Sequence, residues 1–152
     1  MVETIPALAI KNAIKHLENC GDIILLCGTI MPDHVHLLAV LKGKLSIGQV
    51  VGKFKSFAKI SLLQHDIHWQ RDFFEHRLYP DEPATNYARY IFLNPYRSEL
   101  VRRDDEWPYW MRNSEADFDF MAYLEQGCYP PKEWLDAPLE KLGVNPQYMG
   151  ND

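Results

Sequence analysis

The stretch MPDHVHLLAV, residues 31–40, places two histidines one residue apart at the start of an apolar run. Its Pro-Asp pair favours a turn, and the β-branched and aliphatic residues of Val35–Leu41 favour a strand. Side chains alternate between the faces of a strand, so His34 and His36 are predicted to share one face. Two neutral imidazoles there can bind one divalent metal ion. The pattern alone is more often that of two solvated histidines at a strand end.

The flanking sequence places this strand in a hairpin between two helices. Ile23–Met31 reads as a largely buried strand, and the turn after it reverses the chain. Apolar residues spaced by three and four predict a helix over Ile5–Asn19, which ends near Gly21. A second helix is predicted over Ile47–Leu63, with Ser46 as its N-cap.

The following segment predicts one more strand and one more helix. The aromatic-rich run Phe73–Leu78 alternates loosely and is predicted to be a strand. A helix should begin at Asp81-Glu82-Pro83, with the acids at its positive end, and reach Asn94-Pro95. This order predicts an α+β fold, a ferredoxin-like antiparallel sheet with helices packed on one face. The first strand of that pattern is short or missing, confined to the few residues before Pro6.

Beyond Arg103 the periodicity is lost. Residues 104–152 are acidic, aromatic and proline-containing, and we expect them to form a C-terminal tail that packs on a domain of residues 1–103. The chain has three cysteines without C-x-x-C spacing, no apolar run long enough to span a bilayer, and no basic leader before an apolar stretch. These features predict a cytoplasmic protein.

The net charge of −5 conceals an uneven distribution. Residues 1–103 carry a balance of +3 and residues 104–152 a balance of −8. No acid occurs between Asp33 and Asp66, a segment that contains five lysines: Lys42, Lys44, Lys53, Lys55 and Lys59. Such a segment is typical either of a nucleic-acid surface or of a solvated helix face.

Two further residues bear on the histidine pair. Tyr90 and Asn94 are spaced i and i+4 on the last predicted helix and therefore lie on one face of it. Pro95 disfavours a helical conformation for Asn94, which places Asn94 at the helix end or at a kink.

Together, the segments MPDHVHLL, WQRDFFEHRL and YIFLNPYRSELV resemble the HUH single-tyrosine transposases of the insertion-sequence 200/605 type, and most of all the REP-associated tyrosine transposases. The resemblance covers roughly residues 5–110. It implies that His34 and His36 are metal ligands, that Tyr90 is the nucleophile, and that Asn94 completes the metal site. It also implies cleavage and strand transfer of single-stranded DNA through a 5′-phosphotyrosine, with a free 3′ hydroxyl released.

The metal, the DNA surface and the oligomeric state follow as expectations. Imidazole nitrogens suit zinc, manganese or nickel, but the amide and phosphate oxygens suit harder ions, so we expect magnesium or manganese, as the family implies. Single-stranded or hairpin DNA would contact the five lysines together with Arg89, Arg97, Arg102 and Arg103. Family members usually begin with a strand before the first helix. A sheet without it has unpaired backbone groups, which predicts a homodimer or a longer natural chain.

Two other interpretations remain open from the sequence. One is a zinc-dependent hydrolase, in which His34 and His36 bind the ion together with a third ligand from His65, His68 or His76. Glu75 is a further candidate ligand in that interpretation. The other is a DNA-binding module that has kept the fold and lost turnover.

Overall fold

The computed structural model describes residues 4–149 of the 152-residue chain. In chain order its main elements are α1 (Ile5–Asn19), β1 (Ile23–Ile30), β2 (Val35–Leu41), α2 (Ile47–Leu63), α3 (Ala84–Arg97), β3 (Trp110–Arg112) and α4 (Lys132–Asp136). Short 3-10 helices cover Asp119–Tyr123, Leu139–Leu142 and Pro146–Tyr148. The predicted α+β class is confirmed. No helix within residues 4–149 is both long and apolar enough to cross a bilayer.

Within the described residues, the sheet has three strands in the order β2-β1-β3. β1 pairs antiparallel with β3, and Thr29 lies opposite Trp110. The N–H of Met31 donates to the carbonyl of His34 at 2.8 Å and closes a two-residue turn between β1 and β2. In an antiparallel pair this hydrogen bond sets the register, so Thr29 also lies opposite His36.

The chain divides into two compact units, and the division falls within β1 and β2. One unit contains the described residues up to Leu26 together with Ala39–Asp72, and the other contains Cys27–Leu38 together with the residues from Phe73 onward.

In the first unit, α1 packs against α2, and both helices have the predicted bounds. α1 ends as expected at Gly21, whose φ of +73° is a left-handed conformation that glycine adopts without steric cost. α2 begins with a capping box, in which Ser46 accepts from the N–H of Gln49 while the Gln49 side chain accepts from the N–H of Ser46.

In the second unit, α3 differs from the prediction at both ends. It begins at Ala84, after Pro83 as N-cap, so Glu82 lies outside the helix. It also continues through Pro95 to Arg97. A proline in a helix forfeits one backbone hydrogen bond, and burial of this helix on several sides offsets that loss.

The prediction of a strand at Phe73–Leu78 is wrong. These residues form no strand, and side chains such as Phe74, 56% exposed, do not make a half-buried face. The third strand is instead β3, in the C-terminal segment. It has three residues, fewer than sequence periodicity can reveal, and it is anchored by the indole N–H of Trp107, which donates to the carbonyl of Ile30 at 3.2 Å.

Residues 104–149 pack on α3 through aromatic rings. Phe92 of α3 contacts both Trp110 and Phe120, and Phe120 contacts Trp134. A division into a domain of residues 1–103 and a tail of residues 104–152 stays a prediction. A strand ahead of α1 would fall mainly on residues 1–3, which lie outside the described residues, and Thr4 is already the N-cap of α1.

Candidate active site

The two histidines face each other at the turn between β1 and β2. The Nε2 atoms of His34 and His36 are 3.0 Å apart, and the rings are perpendicular with centroids 4.6 Å apart. Both side chains are partly buried. The expectation that they share one face therefore agrees with this geometry, since alternation along the strand brings residues i and i+2 to the same side.

Asp33 orients the first histidine. Its Oδ1 atom is 2.7 Å from Nδ1 of His34. A carboxylate only accepts hydrogen bonds, so Nδ1 is the donor, and in the neutral ring the lone pair is then on Nε2. This hydrogen bond lowers the pKa of the Asp33 carboxyl group. From the sequence Asp33 was predicted only as a turn residue, although a carboxylate next to a metal-binding histidine is a common partner.

The distance between the two Nε2 atoms fits a shared metal ion. Two ligand nitrogens at about 2.1 Å from an ion, at right angles to each other, are about 3.0 Å apart. The observed distance is 3.0 Å. Without an ion, one of the two nitrogens must carry a proton and donate to the other.

Helix α3 brings the predicted tyrosine to the same place. The ring of Tyr90 packs edge-on against His36, with centroids 5.8 Å apart. Asn94 follows one helical turn later on the same face, and the two residues are 6% and 5% exposed. Tyr90, His34, His36 and Asn94 all lie in the second unit. A phenol beside a histidine pair is an arrangement that can attack a phosphodiester.

The alternative metal ligands do not assemble. Among residues 4–149, no group of three or more histidine, cysteine, aspartate or glutamate side chains is placed to hold a metal ion. His65 and His68 are exposed. His76 is committed to Glu82, whose carboxylate oxygens both lie 3.0 Å from its Nε2. A hydrolase site with a third ligand of these types has no support in the described part of the chain.

The neighbouring Tyr87 has a different role from Tyr90. Its hydroxyl donates to Glu82 at 2.6 Å, and the N–H of Tyr79 donates to the same carboxylate at 2.7 Å. Both hydrogen bonds lower the pKa of the Glu82 carboxyl group, and the one from the Tyr79 N–H has the larger effect. Glu82, which was predicted to act on the helix dipole, instead connects the loop of His76 to α3.

The five predicted DNA-contacting lysines fall into two groups. Lys53 donates to Asp22 at 2.6 Å, and this hydrogen bond raises the pKa of Lys53. The Lys55 ammonium group donates to the carbonyls of residues 70–72, the shortest at 2.8 Å. The other three, Lys42, Lys44 and Lys59, are exposed and make no ion pair or side-chain hydrogen bond within residues 4–149.

The two predicted arginines of α3 contact the C-terminal segment. Arg89 donates to the carbonyl of Leu142 at 2.7 Å and lies over the ring of Trp134, 5.0 Å from its centroid. Burial lowers the pKa of Arg89. Arg97 donates to the carbonyls of Trp134 and Ala137. Both side chains are half-buried, so their donors are largely used within the protein.

Comparisons with known proteins agree with this arrangement. Residues 3–103 match the family described as "Transposase IS200 like". A protein of Haemophilus influenzae named as a REP-associated tyrosine transposase is 29% identical over 149 residues, which cover 88% of this chain and 77% of the relative. No solved structure matches the chain. Because the family match covers well over half of the chain, this protein belongs to the IS200-like transposase family and is a tyrosine transposase.

Proposed function

We propose that the protein cleaves single-stranded DNA in a metal-dependent reaction and transfers the strand through a covalent 5′-phosphotyrosine at Tyr90. The observation that carries the proposal is the joint geometry of three side chains. His34 and His36 direct their Nε2 atoms at each other at 3.0 Å, and Tyr90 packs on His36.

Each residue has a defined role in this reaction. The phenol of Tyr90 gives up its proton as its oxygen attacks the phosphorus, the bond from phosphorus to the 3′ oxygen breaks, and the 3′ oxygen takes up a proton and leaves as a hydroxyl group. His34 and His36 would hold the ion, and Asn94 would add its amide oxygen. A bound divalent ion withdraws charge from the phosphate and orients it. Asp33 holds His34 in the tautomer whose Nε2 carries the lone pair that a metal ion would need.

Magnesium or manganese suits these groups best. The amide oxygen of Asn94 and the phosphate oxygens of the DNA are hard ligands, which magnesium and manganese prefer.

The DNA surface should include the lysines whose ammonium groups are not used inside the protein. Lys42, Lys44 and Lys59 are exposed. When such lysines bind phosphates they release counterions, so binding should weaken steeply with salt. We expect single-stranded or hairpin DNA to bind better than plain duplex.

A dimer and a cytoplasmic location complete the proposal. Among residues 4–149, β2 is an edge strand of the sheet, and an edge strand can pair with a strand of a second copy. Light scattering of the purified protein tests the dimer, and a monomeric mass over a range of concentrations would reject it.

The decisive experiment uses hairpin oligonucleotides labelled at the 5′ or the 3′ end, incubated with the protein and manganese. A covalent adduct that carries the label downstream of the cleavage site is expected. Cleavage without an adduct would indicate a hydrolase, and binding without cleavage would indicate a DNA-binding module. The double variant His34→Ala, His36→Ala should bind no manganese and form no adduct.

A second experiment tests the DNA surface. Lys42→Glu combined with Lys59→Glu should reduce affinity and flatten the dependence on salt, by about one unit of slope for each phosphate that is no longer neutralised. The control is Lys132→Glu, a charge reversal of an exposed lysine on α4. Unchanged binding by the double variant would place the DNA surface elsewhere.

A further inference from the structure

Gly28 is a buried glycine within the strand β1. Glycine weakens a strand, because it has no side chain to pack and loses more conformational freedom on folding than other residues do. The backbone conformation does not call for glycine here, since the glycines with a positive φ among residues 4–149 are Gly21, Gly127 and Gly143. A glycine at this position therefore needs another reason.

The surroundings of Gly28 supply that reason. A methyl group added to its Cα would lie 2.8 Å from the carbonyl oxygen of His36 and 2.7 Å from Cδ2 of Leu37, both on β2. It would also lie 3.3 Å from Cε of Met111, the residue of β3 that is paired with Gly28. Ordinary van der Waals contacts begin at 3.4 Å, so a side chain at this position would displace its neighbours. A glycine inside a strand often marks such a close approach of another backbone.

The two closest neighbours differ in how easily they can move. Cδ2 of Leu37 is the end of a flexible side chain, which can turn away. The carbonyl of His36 is part of the backbone of β2, and it would have to move by about 0.6 Å to increase 2.8 Å to 3.4 Å. Such a shift would carry the His36 ring with it, away from its 3.0 Å separation from His34 and its contact with Tyr90. Binding sites tolerate displacements of only about 0.5 Å.

We propose that Gly28 is a positioning residue of the active site. Because it has no side chain, β1 approaches the backbone of His36 closely, and this approach fixes the His36 ring relative to His34 and Tyr90. The inference rests on the proposed function, in which both histidines bind the metal ion. Groups that orient metal ligands typically affect metal affinity by about ten- to a hundredfold, and we expect an effect of that size here.

NMR of the histidine rings in the metal-free full chain tests the position of His36 without any metal. Gly28→Ala should shift the ring signals of His34 and His36, whereas those of the exposed His65 and His68 should stay in place. The matched control is Gly52→Ala, because a methyl group added to Gly52 meets nothing within 4 Å. The control should leave all four signals unchanged.

Manganese titration, followed by the electron paramagnetic resonance of the free ion, tests the consequence for the site. Gly28→Ala should lower manganese affinity by about ten- to a hundredfold. Leu62→Ala leaves a cavity at a buried position of α2, and it should lower Tm without changing the affinity. This comparison separates a displaced ligand from a general loss of stability.

A double variant separates the contact with His36 from the contact with Leu37. In Gly28→Ala combined with Leu37→Ala, the added methyl group no longer meets the leucine but still meets the His36 carbonyl. The decrease in Tm should therefore be smaller than the sum of the two single decreases. The affinity should stay as far below that of Leu37→Ala as the affinity of Gly28→Ala lies below that of wild type. If Gly28→Ala alone does not fold, the double variant carries both measurements.

Three results would overturn the inference. They are unchanged ring signals or affinity when Gly28 is replaced, an affinity of the double variant equal to that of Leu37→Ala, and a double variant that does not fold. A wild-type protein that binds no manganese, or whose binding survives removal of both histidines, would instead overturn the proposed function. The ring signals of the metal-free protein would still decide whether Gly28 positions His36.

Discussion

Replacement of Tyr90 by phenylalanine separates catalysis from packing. Tyr90 is 6% exposed and its ring lies against His36, so alanine would leave a cavity and cost about 3–5 kcal/mol. Phenylalanine keeps the ring and should cost less than about 1.5 kcal/mol. For a chain of this size that corresponds to a decrease in Tm of at most about 3–6 °C. The variant should therefore remain folded.

Tyr87→Phe is the matched control on the same helix. It removes the hydroxyl that donates to Glu82 at 2.6 Å, so a largely buried carboxylate is deprived of a charge-assisted hydrogen bond. We expect Tyr87→Phe to lower Tm more than Tyr90→Phe does, and to leave the nucleophile in place. The two variants should thus show opposite patterns, with reduced stability in one and abolished covalent chemistry in the other.

The assay combines calorimetry with denaturing gels of labelled hairpin DNA and mass spectrometry of the trapped peptide. Tyr90→Phe should bind manganese and single-stranded DNA but form no adduct, while Tyr87→Phe should form the adduct. A DNA-linked peptide carrying Tyr87 as the modified residue, or full cleavage by Tyr90→Phe, would refute the mechanism.

Three further results are expected. Asp33→Asn should weaken manganese binding about tenfold, measured by titration, because the partner that orients His34 is then uncharged. Hydrogen bonds, above all from the N–H of Tyr79, lower the pKa of the Glu82 carboxyl group below its usual value of about 4.5. The ionised carboxylate therefore stabilises the folded protein above about pH 4.5, and this stabilisation is lost as the pH falls through the pKa that Glu82 has in the folded protein. Thermal melts of Glu82→Gln should accordingly show a lower Tm than wild type at pH 7, and the gap should close in acid. Lys55→Gln should reduce stability without changing the salt dependence of DNA binding, because Lys55 binds the carbonyls of residues 70–72.

Much of the fold could be predicted from local patterns. The bounds of α1, β2 and α2 follow from residue spacing and from caps such as Ser46, since a helix turn and a strand alternation depend on neighbours in the chain. The site was predicted as a set of four residues, and the geometry places Tyr90 against His36. Periodicity failed where the outcome depended on distant partners, as at Phe73–Leu78.

By itself, the sequence determined which residues share a face. The period of a strand places His34 and His36 on one face, and the period of a helix does the same for Tyr90 and Asn94. Both relations depend only on local spacing and not on long-range contacts. Only the tertiary structure decided how these faces meet and which charges remain exposed. β3 pairs with a strand about eighty residues earlier, and Lys55 and Arg89 use their donors on backbone carbonyls distant in sequence. A hydrogen bond depends on distance and direction in space, and spacing along the chain does not specify either for residues so far apart.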